Sequence, residues 1–200
     1  MLIAFEGLDQ SGKETQARTL RARLAQEGRR VRSLSFPDYE TSIGHEIRHA
    51  LAGEREFTPD VMQLLYIANR YEYKPRIELW LGAGDVIICD RYRASSIAYG
   101  EAQNLDAAWL NEVQRHLPEP TMTIVLDIAP ETAVKRKQTG RDRYERDLGL
   151  LARVRASYQR QAQQPRWALI DAEQSREEVA AAIERVVLPL FAPPSAPGRS

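Results

Sequence analysis

The sequence predicts an α/β fold, a five-stranded parallel sheet with helices on both faces plus a short lid. Three observations carry this. Five apolar runs, at 2–6, 31–36, 85–90, 121–127 and 166–171, are each followed by a helical pattern. Strands that are apolar throughout and alternate with helices indicate a parallel sheet covered on both sides. A Gly-x-x-x-x-Gly-Lys segment, Gly7 to Lys13, separates the first run from the first helix. Residues 137–147, Lys-Gln-Thr-Gly-Arg-Asp-Arg-Tyr-Glu-Arg-Asp, have no apolar face and read as an exposed mobile loop.

The first element is the run Leu2, Ile3, Ala4, Phe5, and a helical pattern follows from Lys13 to Gln26. Between them, Gly7 and Gly12 permit backbone angles closed to other residues, so the amides of Leu8, Asp9, Gln10 and Ser11 can turn inward on phosphate oxygens. The helix adds its N-terminal dipole, and Lys13 a point charge for the outer phosphates. Such a loop, between a strand and a helix, points to ATP. The next position usually holds a Ser or Thr for magnesium; here it is Glu14. Glu14 has three open readings: a hard-oxygen ligand for Mg2+, a charge repelling the γ-phosphate, or a helix-start acid turned to solvent. Thr15 follows, and one helical step of about 100° is expected to turn its hydroxyl away.

After the second strand, helices are expected near 43–52 and over 59–82, stopped by Gly82-Ala83-Gly84-Asp85. Pro118 and Pro120 punctuate the entry to the fourth strand. The tail at 191–200 is rich in Pro, Gly and Ser and is expected to be disordered, leaving residues 1–190 as a single domain.

Twenty-eight basic residues balance 28 acidic ones, so no net field favours nucleic acid or an anionic membrane. No apolar run approaches the roughly 20 residues a bilayer requires, and no signal peptide is expected before the first strand. A single cysteine, Cys89, allows no internal disulfide and fits a reducing cytoplasm; within Val-Ile-Ile-Cys-Asp it reads as a small buried hydrophobe. The third strand ends in Asp90-Arg91-Tyr92. Ligands of open α/β sheets sit beyond the carboxyl ends of the strands, so Asp90 is placed to hold magnesium and Arg91 to grip phosphate.

These features, taken in order, resemble the thymidylate kinase family of P-loop nucleoside monophosphate kinases, from residue 2 to about 188. The carrying motifs are Phe5-Glu6-Gly7-Leu8-Asp9, Phe36-Pro37, Leu65-Tyr66-Ile67-Ala68-Asn69-Arg70, Asp90-Arg91-Tyr92 with Ser95, Ser96 and Tyr99, and Arg141 to Glu145. The resemblance implies ATP and dTMP as substrates, Mg2+, and a homodimer. It places Arg70 on the thymine edge, Tyr66 stacked on the ring, Phe36 beside the substrate, and Asp9 and Tyr99 along the sugar, with Tyr99 excluding a 2′-hydroxyl. Ser96 would reach the base, Arg136 would stack on adenine, and Tyr144 would approach the acceptor. Arg91 would bridge the acceptor phosphate and the transferred group. With Gln10 neutral inside the loop, the lid arginine that stabilises the migrating charge would be Arg141 or Arg143.

One departure concerns the acceptor phosphate. The family places an arginine within two positions of the Phe-Pro pair, where this chain has Asp38 and Tyr39, and Arg48 is the candidate replacement. Two alternatives accompany the kinase reading. One is another (deoxy)nucleotide kinase on the same scaffold, and the other a nucleotide-binding homologue impaired by Glu14.

Overall fold

The computed structural model describes residues 1–136 and 147–192. Its strands are β1 (Leu2–Gly7), β2 (Val31–Ser35), β3 (Val86–Asp90), β4 (Met122–Asp127) and β5 (Trp167–Asp171), all parallel, in the order β2-β3-β1-β4-β5. The register pairs Phe5 with Asp90, Ser35 with Asp90 and Gly7 with Leu126. The chain therefore leaves β1, β2 and β3 along one edge of the sheet, the edge where α/β proteins hold ligands.

The helices are α1 (Lys13–Gln26), α2 (Ser42–Leu51), α3 (Pro59–Glu72), α4 (Lys74–Gly82), α5 (Arg93–Glu101), α6 (Ala107–Val113), α7 (Pro130–Arg136), α8 (Leu148–Gln161) and α9 (Arg176–Val187). Alternation along β1 divides its side chains between two faces. Ile3 and Phe5 join Leu20 and Leu24 of α1 and Val179, Ile183 and Val187 of α9. Leu2 and Ala4 join Ile87 and Cys89 of β3, Ile77 of α4, Phe36 and Tyr92. Every residue of β1 is buried, and each fully buried Leu, Ile or Phe contributes roughly 1.5–3 kcal/mol by leaving water. Cys89 is wholly buried and its thiol is pushed up by that burial, so it packs as a small hydrophobe.

Two expectations need correction. The outer strands are not buried like the inner three: β2 and β5 occupy the sheet's edges, and residues such as Arg32, Ser33 and Leu169 are exposed. The helix expected over 59–82 is two helices meeting at Tyr73, because Pro75 lacks the N–H needed to continue and fits a first turn. The stop after α4 is as read: Gly84 is at φ 76, and the Gly84 and Asp85 amides donate to Leu81 O and Trp80 O.

Of the expected lid, 137–146 lies outside the described residues, while Asp147 is the cap of α8, its Oδ1 accepting from the Leu150 amide at 2.9 Å. The tail expected from 191 begins later: Phe191 closes a 3-10 helix (Leu188–Phe191) and packs against the core, and residues from 193 onward lie outside those described. Among the described residues no helix is long and apolar enough to cross a membrane.

Candidate active site

The phosphate loop is built by backbone angles that β1 cannot continue. Gly7 ends the strand at φ 132, Gln10 is at φ 64 and Gly12 at φ 94, so the segment curls and α1 starts directly at Lys13. Lys13 is 6% exposed and its Nζ donates to Leu8 O at 2.8 Å. Burial lowers its pKa, with the Arg91 charge adding to the effect, while Asp9, Asp90 and Glu6 oppose it. Glu14 and Thr15 both line the adjoining cleft.

That cleft has a volume of about 350 Å3 and lies between the loop, the segment after β2 and the end of β3. Asp9, Gln10, Gly12 and Lys13 line one side; Phe36, Tyr39, Asp90 and Arg91 line the other. Arg91 sits at φ 63, and its guanidinium is held on both forks. Nη2 donates to Asp9 Oδ1 at 2.8 Å and Tyr99 Oη at 3.3 Å; Nη1 donates to Ser95 Oγ at 3.0 Å and Tyr158 Oη at 3.3 Å. The guanidinium also lies 5.2 Å from the Tyr99 ring centroid. Burial opposes its charge, but Asp9, Tyr99 and Tyr158 outweigh burial and leave its pKa well above the ordinary value.

On α3, Arg70 is 2% exposed and donates from Nη1 to Ser96 Oγ at 2.7 Å. Its buried Nε has no hydrogen-bond partner among the described residues, and Arg70 is not among the residues lining the cleft. Burial lowers its pKa and Glu6 opposes this. Ser96 is itself 1% exposed, so its hydroxyl orients Arg70 rather than presenting a surface of its own. Tyr66, one turn before Arg70, is half-buried and packs by the cluster of Ile47, Ala50 and Met62.

Asn69, between them, clamps the segment after β2. Its Oδ1 accepts from the Asp38 amide at 2.8 Å, and its Nδ2 donates to Asp38 O at 3.1 Å and Thr41 Oγ1 at 2.9 Å. Tyr73 Oη donates to Asp38 Oδ2, and that bond, then burial, pushes the phenol up to about 12. Arg48 is committed elsewhere. It stacks 5.4 Å from the Tyr39 ring centroid, and donates to Tyr39 O and Glu40 Oε1, each at 3.0 Å. It does not line the cleft, so the expectation that it replaces the acceptor-phosphate arginine is not met.

At the donor end, Arg136 donates to Gln10 O at 3.2 Å and Ala172 O at 3.0 Å, tying the end of α7 to the loop and to the residue after β5. Arg141, Arg143 and Tyr144 lie outside the described residues. The carboxylates suit magnesium in one mode. Glu14 and Asp90 both line the cleft, but no group of three potential ligands is assembled among the described residues. Magnesium is commonly bound that way, through one or two carboxylates with substrate phosphates and water.

Sequence reasoning missed two members of this site. Glu6 was read only as a motif letter, although a lone acid in an apolar strand signals a committed side chain. Tyr158 lies in α8, far along the chain, and nothing local marks it.

The family model for thymidylate kinase matches residues 5–183. The thymidylate kinase of Arabidopsis thaliana is 37% identical over 187 residues, covering 94% of this chain and 70% of the relative. That of Schizosaccharomyces pombe is 35% identical over 183 residues, covering 89% of this chain and 87% of the relative. The solved thymidylate kinase of Candida albicans superposes with a TM-score of 0.86 at 30% identity, covering 95% of this chain and 92% of that one. Fold, loop and likeness along nearly the whole length converge: the chain belongs to the thymidylate kinase family.

Proposed function

We infer that the chain transfers the γ-phosphoryl group of ATP to dTMP, giving dTDP and ADP for dTTP synthesis. The observation that supports this best is Arg91, which lines the same cleft as Lys13 of the phosphate loop and is held by Asp9 and Tyr99. In this reading a dTMP phosphate oxygen attacks the γ-phosphorus, the bond to the β,γ-bridging oxygen breaks, and ADP leaves. Lys13 and the loop amides hold the donor, Arg91 stabilises the charge in flight, and Arg70 bonds the edge of the base. Tyr66 and Phe36 flank the base, Tyr99 crowds the sugar, and Arg136 faces adenine. Glu14 and Asp90 are the carboxylates that would hold magnesium, which when bound neutralises charge on the β- and γ-phosphates. Magnesium dependence, a homodimer and a cytoplasmic location belong to the same proposal.

ADP release tests it, with MgATP and each of dTMP, dUMP, dCMP and dGMP. The expected order has dTMP first, and no ADP release with dTMP would sink the assignment. Glu14→Ser distinguishes the readings of that residue. As a metal ligand, Glu14 gives a variant about tenfold slower, with a higher magnesium concentration for half-maximal rate; a faster variant would show that the carboxylate opposes the phosphates, and an unchanged rate that it is a helix-start acid turned to solvent.

Tyr39→Arg tests the acceptor side. Tyr39 lines the cleft while Arg48 behind it does not, so an arginine introduced at 39 should add a charge-assisted contact to the acceptor phosphate. Such a contact is worth about 1.5–3 kcal/mol and should lower the dTMP KM by one to two decades. An unchanged KM would mean the acceptor phosphate does not reach Tyr39.

A further inference from the structure

Behind Arg91, on the side away from the cleft, a wholly buried carboxylate organises everything the guanidinium leans on. Glu6 is 0% exposed in β1. Its Oε1 accepts from the Tyr92 amide at 2.8 Å; its Oε2 accepts from Ser95 Oγ at 2.6 Å and Tyr158 Oη at 3.2 Å. Those two hydroxyls are the ones that accept from Arg91 Nη1. The Tyr92 amide follows Arg91, whose backbone is in the left-handed region at φ 63, a conformation that persists only when its surroundings fix it. The helix α5 has no side-chain cap from its own N-cap residue Tyr92, and the Glu6 carboxylate supplies a negative charge at that end. One side chain thus anchors both the backbone and the fork of Arg91.

We propose that Glu6 is a positioning residue for phosphoryl transfer: through Ser95 and Tyr158 it aims the Arg91 guanidinium into the cleft. The direction of the protons makes the case. A guanidinium only donates and a carboxylate only accepts, while each hydroxyl has one proton and can accept as well. With Glu6 as terminal acceptor, Ser95 and Tyr158 give their protons to Oε2 and turn lone pairs to Arg91. The two hydroxyls lie 2.9 Å apart, and a proton shared between them still leaves the carboxylate at the end of the chain. Burial, then the Glu6 charge, holds the Tyr158 phenol well above its ordinary pKa, so it keeps the proton it donates. Packing holds this arrangement: Tyr158 is 1% exposed, and Ala94, Ala98 and Val154 share its cluster.

Glu6→Gln keeps the shape and inverts the polarity. The amide oxygen must face the Tyr92 N–H, which leaves the NH2 group facing Ser95 and Tyr158. Their protons are then forced toward Arg91, where N–H donors already point. The inference rests on the phosphotransfer reading, and two separate measurements distinguish the failures. Wild-type turnover with dTMP tests that reading by itself; ratios among variants test this one. Glu6→Gln is expected to lower kcat about 10- to 100-fold with the ATP KM little changed. In an Arg91→Ala background the same change should lower kcat less than about twofold, because the group it positions is gone. Tyr158→Phe, which leaves Glu6 its bonds from Tyr92 and Ser95, should show a smaller loss and the same disappearance. It also carries the test should Glu6→Gln fail to fold. Equal losses in both backgrounds, or full activity of Glu6→Gln, would overturn the proposal.

Discussion

Arg91→Ala is expected to reduce kcat for dTMP phosphorylation about 10³-fold, the range for an arginine that compensates charge in a phosphoryl-transfer step. The expectation comes from how the side chain is held. Four neighbours hold the guanidinium, and among the described residues only Asp9 pairs with it as an ion, at 39% side-chain exposure. Asp9 can therefore be hydrated when Arg91 is removed, and Ser95 and Tyr158 keep Glu6 as acceptor. The fold should survive with a modest loss of stability. ATP affinity should change little, since Lys13 and the loop amides hold the donor. Arg91→Lys should recover little of the loss, because an ammonium lacks the planar fork that reaches both Asp9 and Ser95. Single-turnover kinetics beside nucleotide titration would check this; a kcat within tenfold of wild type would remove Arg91 from the charge-stabilising role.

Much of this site was legible because the phosphate loop is written locally. Gly7, Gly12 and Lys13 act through their own backbone angles and a helix start, and the structure places all three as the spacing required. Tyr66 and Arg70 are likewise one helical turn apart on α3. What could not be read depends on contacts made across the sheet. Strand order is one case, because β1 pairs with β3 rather than β2, and no local pattern encodes that neighbour. Tyr158 is another: it reaches Arg91 from 67 residues away only because α8 packs on α5. Arg48 failed for a related reason. It lies on the helix that follows Tyr39, but the Tyr39 ring and the Glu40 carboxylate engage it away from the cleft. The division of 59–82 at Pro75 was local and was missed, because apolar periodicity runs through the break while the imide nitrogen does not.

Gly7→Ala is expected to damage both the sheet and the phosphate loop. The position is strained for any L residue at φ 132, and the added Cβ would lie 2.4 Å from the backbone oxygen of Leu126. A flexible side chain could retreat from such contact; Leu126 O belongs to β4, hydrogen-bonded in the interior of the sheet. Either β1 separates from β4 or Gly7 rotates and takes the phosphate loop with it. Backbone strain of about 1–3 kcal/mol and overpacking of about 1–3 kcal/mol together predict a loss of about 2–6 kcal/mol. Gly28→Ala is the control. Its φ of 76 is also positive, but nothing lies within 4 Å of its Cβ, so only the conformational cost of roughly 1–2 kcal/mol applies, with kinetics unchanged. Urea unfolding of the two variants separates the contributions. Equal losses would mean that conformational freedom alone requires glycine at position 7. A larger loss at Gly7, accompanied by weakened ATP binding, would mean that the close approach of β4 holds the phosphate loop in register with the cleft.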